Sequence, residues 1–275
     1  MNVISNSENG NSGRCLLAVF AHPDDESFGC GGTLAKYAAE GCRVHLITAT
    51  RGEAGEIAEG VHATQANLAE VRDRELECAC AALGIEKPHL MGYIDGQLTI
   101  VHQGQAVAKL VRLIRTLRPQ VVLTFGPDGI YGHYDHIAVH RWVTIAIKLA
   151  ADGSCFPDGD NCEPHQVIKL YYTVLPEDFL ARLAPTGETP AVMMDGVPFP
   201  FTAWKREMIT TWIDIAPYVH SKMASIQCHA TQVGGGRIEA NEEELLGLSS
   251  EPFVLAQSTV GWPDGVEDDL FDRIR

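Results

Sequence analysis

QVVLTFGPDGIYGHYDH, residues 120–136, decides the architecture and points to the chemistry. Its first seven residues, QVVLTFG at 120–126, are an apolar, β-branched run without polar alternation. That is the pattern of a strand buried on both faces, and such strands belong to parallel sheets covered by helices on either side. Directly beyond the run stand Tyr131, His133, Asp135 and His136, a cluster of groups that bind metals or move protons.

Working outward, CLLAVFAH (15–22) is a second run of the same kind, RVHLITAT (43–50) a third and PHLMGY (88–93) a short fourth. Helical stretches separate them: an alanine-rich segment from about Gly31 to Gly41, an amphipathic one from about Gln65 to Leu83, and one from Gln105 to Leu117 closed by Pro119. Strands alternating with helices predict an α/β fold, a Rossmann-like, mostly parallel sheet with helices on both faces. The second half is less regular. It predicts a helix over Tyr134–Ala150, a loop at 151–165, a strand in VIKLYYTVL (167–175), a short strand near 208–215 and a helix over Tyr218–Cys228. A mobile loop from about Gly234 then precedes FVLAQS. The organisation expected is a single domain over 14–275 with loop insertions, preceded by a disordered polar leader at 1–13.

Composition narrows the class of partner. The chain of 275 residues carries 21 basic and 36 acidic side chains, a formal charge of −15, and has no run of lysine or arginine. That balance argues against nucleic acid and anionic membranes and favours a neutral or cationic small molecule. No stretch is apolar for long enough to span a bilayer, and the leader lacks an apolar core, so the expected location is the cytoplasm. The eight cysteines show no paired C-x-x-C spacing and read mostly as small buried hydrophobes. Cys78 and Cys80 point about 200° apart on a helix and cannot share a metal. Cys155 and Cys162 could form a disulfide, which a cytosolic location disfavours, or a minor metal site.

In a sheet of this kind ligands bind beyond the carboxyl ends of the strands. Two polar clusters fall there: His22, Asp24 and Asp25 after the first strand, and Tyr131, His133, Asp135 and His136 after the strand at 120–126. His22 and Asp25 are three apart, so one tight turn places both side chains on one face while Asp24 points elsewhere. Two histidines and a carboxylate with an open position are a usual catalytic zinc set. This reading makes His22, Asp25 and His136 the ligands and leaves Asp24 free to act on water. His140, one turn beyond His136, is the competing ligand, with helix packing preferred. His45, His62, His89, His102, His165 and His220 read as ordinary loop or packing residues, and Glu26 as an acidic residue favoured at a helix start.

The A-H-P-D-D-E motif at 21–26, G-H-Y-D-H at 132–136 and the late C-H-A-T-Q at 228–232 resemble the PIG-L / LmbE-like family of zinc-dependent N-deacetylases. That family includes the N-acetylglucosaminyl-phosphatidylinositol deacetylases and enzymes of mycothiol and bacillithiol biosynthesis. The resemblance runs from about residue 15 to 235 in motif order. It implies zinc, or another divalent transition metal, on His22, Asp25 and His136, with Asp24 as general base. It further implies His133 as the acid or oxyanion-stabilising group oriented by Asp135, and Arg72, Tyr131 and His229 around the sugar. Tyr134 stands where the family often has proline, and the resemblance assigns no role to the 151–165 loop. The reaction implied is hydrolysis of the N-acetyl group of an N-acetylglucosamine-containing conjugate, a small-molecule amino sugar, by an enzyme that is often a homo-oligomer. A metal suits that chemistry, because it lowers the pKa of water from 15.7 to about 7 and polarises the acetyl carbonyl.

Other readings are weaker. An amidase acting on a larger acyl group of a glucosamine-linked thiol conjugate is the nearest alternative, and a non-catalytic sugar-binding metalloprotein stands further off. A dinucleotide-binding turn at Gly29, Gly31 and Gly32 begins seven residues after the strand, whereas that fingerprint follows its strand directly.

Overall fold

The computed structural model describes residues 13–156, 163–183, 189–194, 196–236 and 247–274. The expected leader, apart from Gly13, lies outside these residues, as do Cys162 and most of the loop expected after Gly234.

Seven strands form the central sheet: β1 (Cys15–Phe20), β2 (Arg43–Thr48), β3 (His89–Leu90), β4 (Val121–Phe125), β5 (Lys169–Thr173), β6 (Thr211–Asp214) and β7 (Ser250–Ser258). Their order is β6-β7-β5-β4-β1-β2-β3. The five strands from β5 to β3 run parallel, and β7 and β6 add an antiparallel edge. All residues of β1 and β4 are buried, as their unbroken apolar sequences require. Thr124, the one polar residue of β4, donates its hydroxyl to Val19 O at 2.9 Å.

The main helices are α1 (Asp25–Ala39), α2 (Leu68–Leu83), α3 (Gln103–Leu117), α4 (Tyr134–Ala150) and α5 (Val219–Cys228). Helices α1, α2 and α5 pack together in one layer and α3 packs on α4 in the other, so the core is two apolar seams flanking one sheet. An antiparallel hairpin, Ala191–Met194 with Val197–Pro200, stands outside the sheet. The helix at Tyr134–Ala150 lies where its sequence pattern predicts.

Several boundaries shift by up to three residues, and three differences bear on the architecture. Helix α1 starts at Asp25 rather than Gly31, so the acidic residues form its first turn and the glycines fall inside it. Gly32 is tolerated there because any Cβ would collide with Ile215. The edge strand β3 spans two residues instead of six, since it pairs only with β2. The strand expected at 167–175 ends at Thr173, and Leu175–Pro176 pairs instead with Ala203–Trp204.

From β1 the chain proceeds to β2 on one side, while β4 lies on the other. Strands that part in this way leave a crevice at their carboxyl ends, and both predicted polar clusters open into it.

Candidate metal centre

Three side chains converge at the switch point between β1 and β4. His22 Nδ1 and His136 Nε2 are 3.3 Å apart, His136 Nε2 is 3.3 Å from Asp25 Oδ1, and His22 Nδ1 is 3.5 Å from Asp25 Oδ2. The backbone N–H of His22 donates to Asp25 Oδ2 at 2.7 Å, so the turn His-Pro-Asp-Asp itself fixes the carboxylate.

The outward nitrogens fix the tautomers. His136 Nδ1 faces Gly129 O at 3.1 Å and must donate to it, which leaves Nε2 as a lone pair. His22 Nε2 faces Asp95 Oδ1 at 2.9 Å and Asp135 Oδ2 at 3.4 Å, which places its proton there and turns Nδ1 inward. With His22 neutral, two imidazole lone pairs and a carboxylate meet in this nearly buried space. That set demands positive charge. Burial alone would lower the proton affinity of His22, but Asp135, Asp25 and Asp95 outweigh it and hold the ring well above the usual histidine range. Burial keeps His136 neutral, its pKa pushed down to about 3.

The same donors fit a metal. One donor atom from each of His22, Asp25 and His136 lies within 4.8 Å of the other two, close enough for a single ion to be shared among them, and two histidines with a carboxylate are a donor set suited to zinc. The carboxylates behind His22 are the kind of outer partner that orients a ligating histidine.

Asp24 stands beside this set with its carboxylate turned away, held at 3.2 Å by Arg72 Nη2. Its backbone adopts φ 108°, a conformation rare for a non-glycine residue and found where surrounding contacts impose it. Burial, with help from Asp25 and Glu26 and against Arg72 and His229, raises its carboxyl to about 7. Arg72 is buried and also donates to Gly52 O at 2.8 Å and to Pro23 O. Gly52, at φ +68°, lies flat against that guanidinium, and a Cβ there would overlap it.

His133 caps α4: its Nδ1 accepts the backbone N–H of Asp135 at 3.1 Å. Its ring is therefore neutral with the proton on Nε2, and burial keeps its pKa low. The ring stacks on His136 with centroids 4.5 Å apart. Tyr131 meets both rings edge-on and lines the cavity.

Several expected positions need correction. The Asp135 carboxylate does not orient His133; it accepts from Gly96 N at 2.7 Å and Leu98 N at 3.0 Å and faces His22, and only its backbone reaches His133. Arg72 and His229 were expected around the sugar, yet Arg72 is enclosed by backbone carbonyls and His229 has no exposed surface. His229 Nε2 faces Glu26 Oε1 at 2.8 Å, and Glu26 Oε2 accepts the backbone N–H of Asp24 at 3.0 Å. Glu26 is thus more than a helix-start residue: it braces the unusual turn at Asp24. His140 packs as preferred, with Nδ1 on Phe125 O at 3.0 Å and its ring against Tyr172.

Two features escaped the sequence reading. Asp95 is one, although a carboxylate in Ile-Asp-Gly just beyond a strand was a usable signal. The other is a disulfide between Cys78 on α2 and Cys228 at the end of α5, separated by 150 residues. Nothing in the spacing connects that pair.

The model of the PIG-L family, described as GlcNAc-PI de-N-acetylase, matches residues 17–147. The 1D-myo-inositol 2-acetamido-2-deoxy-alpha-D-glucopyranoside deacetylase of Streptomyces griseus is 37% identical, over 94% of this chain and 88% of its own. The chain belongs to the PIG-L family of de-N-acetylases. A protein of the same name from Kineococcus radiotolerans is 39% identical over 80% of this chain and 69% of its own. The N,N'-diacetylchitobiose deacetylase of Pyrococcus horikoshii shares the fold, with TM-score 0.65 at 18% identity over 88% of this chain and 84% of that one. PIG-L members are metal-dependent, and the donor set of His22, Asp25 and His136 suits that dependence. Among the described residues no helix is long and apolar enough to cross a membrane.

Proposed function

We propose that this protein hydrolyses the N-acetyl group of an N-acetylglucosamine-containing conjugate, with zinc held by His22, Asp25 and His136. The observation that carries this reading is the convergence of three lone-pair donors at 3.3, 3.3 and 3.5 Å beside a carboxylate, Asp24, that is not one of them. Bound there, the metal would supply Lewis-acid activation of water and of the acetyl carbonyl.

The chain's own groups do the rest. Asp24, with its carboxyl raised to about 7, takes the proton of the attacking water and is close enough to neutrality to return it to the departing amine. Arg72 Nη2 holds that carboxylate at 3.2 Å, and the Glu26 side chain braces the turn by accepting the Asp24 N–H at 3.0 Å. His133 offers its Nε2–H to the carbonyl oxygen as negative charge develops, a role for a neutral imidazole whose tautomer the helix cap already fixes. Tyr131, on the cavity wall and edge-on to the His133 and His136 rings, bounds the space for the substrate.

The test couples zinc content to acetate release. N-acetylglucosaminyl-inositol, the conjugate named for the relatives, and N,N'-diacetylchitobiose are supplied to the protein before and after chelation. Acetate release that needs the metal supports the reading, and absence of release from every N-acetylglucosamine conjugate in a loaded enzyme overturns it.

A further inference from the structure

A cavity of about 680 Å³ opens from Asp24, Asp25 and His136 and runs past the end of β5 towards α5. Its wall beyond the site is mostly apolar, with Phe28, Val174, Leu175, Met223, Ile226 and Leu248 lining it. Of the charged groups along that wall, Lys222 and Glu251 are paired with each other, Asp178 faces Arg206 Nη1 at 3.6 Å, and the exposed Arg182 lies over the Phe179 ring. Lys222 Nζ is bound to Glu251 Oε1 at 2.6 Å and Phe28 O at 3.0 Å, and Glu251 accepts Gly32 N at 3.0 Å and Thr33 N at 2.7 Å. A polyol lodged here would surrender water from its hydroxyls and find few free partners, a net cost for each one buried. Phe28, by contrast, is 50% exposed one turn along α1 from Asp25, a large aromatic facing solvent beside the reaction centre.

We propose that this cavity is a subsite for an apolar group of the substrate, an alkyl or aryl moiety carried within reach of the scissile amide. The inference rests on the amide-hydrolase reading above and names the substrate class of the same site. The group has two possible sources, the aglycone on the sugar and the acyl chain on its nitrogen. Continuity of the cavity with Asp24, Asp25 and His136 is what assigns it to substrate.

Two homologous series separate the sources: alkyl N-acetylglucosaminides from methyl to octyl, and methyl N-acylglucosaminides from acetyl to octanoyl. Burying one methylene is worth about 0.8 kcal/mol, so kcat/KM is expected to rise about fourfold per methylene over the first several members of one series. The series that rises names the source. Phe28→Ser should shrink that increment. A flat or falling profile in both series, with the shortest members turned over, overturns the inference and leaves the reaction intact. Absence of turnover anywhere overturns the reaction instead, and calorimetric binding of methyl to octyl glucosides then tests the cavity alone: affinity rising with chain length supports an apolar subsite, and affinity independent of length refutes it.

Discussion

Removing Asp95 should loosen the metal without unfolding the protein. Its Oδ1 lies 2.9 Å from His22 Nε2, and its other oxygen accepts Ala54 N at 3.0 Å, so the carboxylate is held in place before any metal arrives. In Asp95→Ala the His22 N–H keeps only Asp135 Oδ2, at 3.4 Å and already shared with the amide of Gly96. Outer partners of ligating histidines are worth about 10–100-fold in metal affinity. Because Asp135 remains, the lower part of that range is expected, about 10–30-fold, or about 1.4–2 kcal/mol. Asp95→Asn keeps the volume, but its amide can accept from only one of two N–H groups, so it should lose about 10-fold. Competition with a chromophoric chelator gives the zinc Kd, and circular dichroism reports whether each variant is folded. Folded variants that both bind zinc as tightly as wild type would refute the idea that Asp95 orients a ligand.

Asp24→Asn should retain zinc while kcat falls by about 10²–10⁴, since the amide cannot accept a proton; near-normal kcat with full zinc would remove its assigned role. His136→Ala should bind zinc far more weakly and His140→Ala almost normally, and the reverse pattern by metal analysis would move the ligand one turn along α4. Cys78→Ser should cost about 2–5 kcal/mol in urea unfolding under non-reducing conditions, because the bridge closes a loop of 150 residues; equal stability would deny the bridge a role. The His229–Glu26 pair gives a pH signature. Burial lowers the His229 pKa, but Glu26 more than reverses this and raises it above 6.5, so the stabilisation is complete below about 6.5 and fades as pH rises through the folded value. Glu26→Gln should therefore destabilise zinc-loaded protein more at pH 6 than at pH 9, and a difference independent of pH would contradict the pairing.

How much of this could be read from the sequence depends on the range of the interaction. The strands β1 and β4 were visible because burial on both faces leaves an unbroken apolar run, and the clusters after them followed from where such a sheet delivers its loops. His22 and Asp25 were visible as a pair because their contact is local, three residues apart. Partners fixed by tertiary packing were not. Arg72 and His229 carry the chemistry of substrate contacts, and only the distances to Pro23, Asp24 and Glu26 show them facing inward. Asp95 belongs with His22 solely because β3 ends beside β1's neighbour β2, an arrangement that a two-residue strand hardly announces.

The three consecutive carboxylates, Asp24, Asp25 and Glu26, show why a local reading had to stop short. Adjacent like charges repel, and burying them is tolerable only if each finds its own compensation. Here the partners come from three different directions: Asp25 turns to His22 and to His136 of α4, Asp24 to Arg72 of α2, and Glu26 to His229 beyond α5. The positive φ at Asp24 is what separates the first two, by turning one carboxylate away from the histidines while its neighbour faces them. No one of these helices can neutralise the turn by itself. The charge stack is therefore stable only after α1, α2, α4 and α5 have all docked on the sheet, which ties assembly of the reaction centre to completion of the fold. Neutralising any one member, as in Asp24→Asn or Glu26→Gln, should accordingly change the environment of the other two rather than delete a single contact.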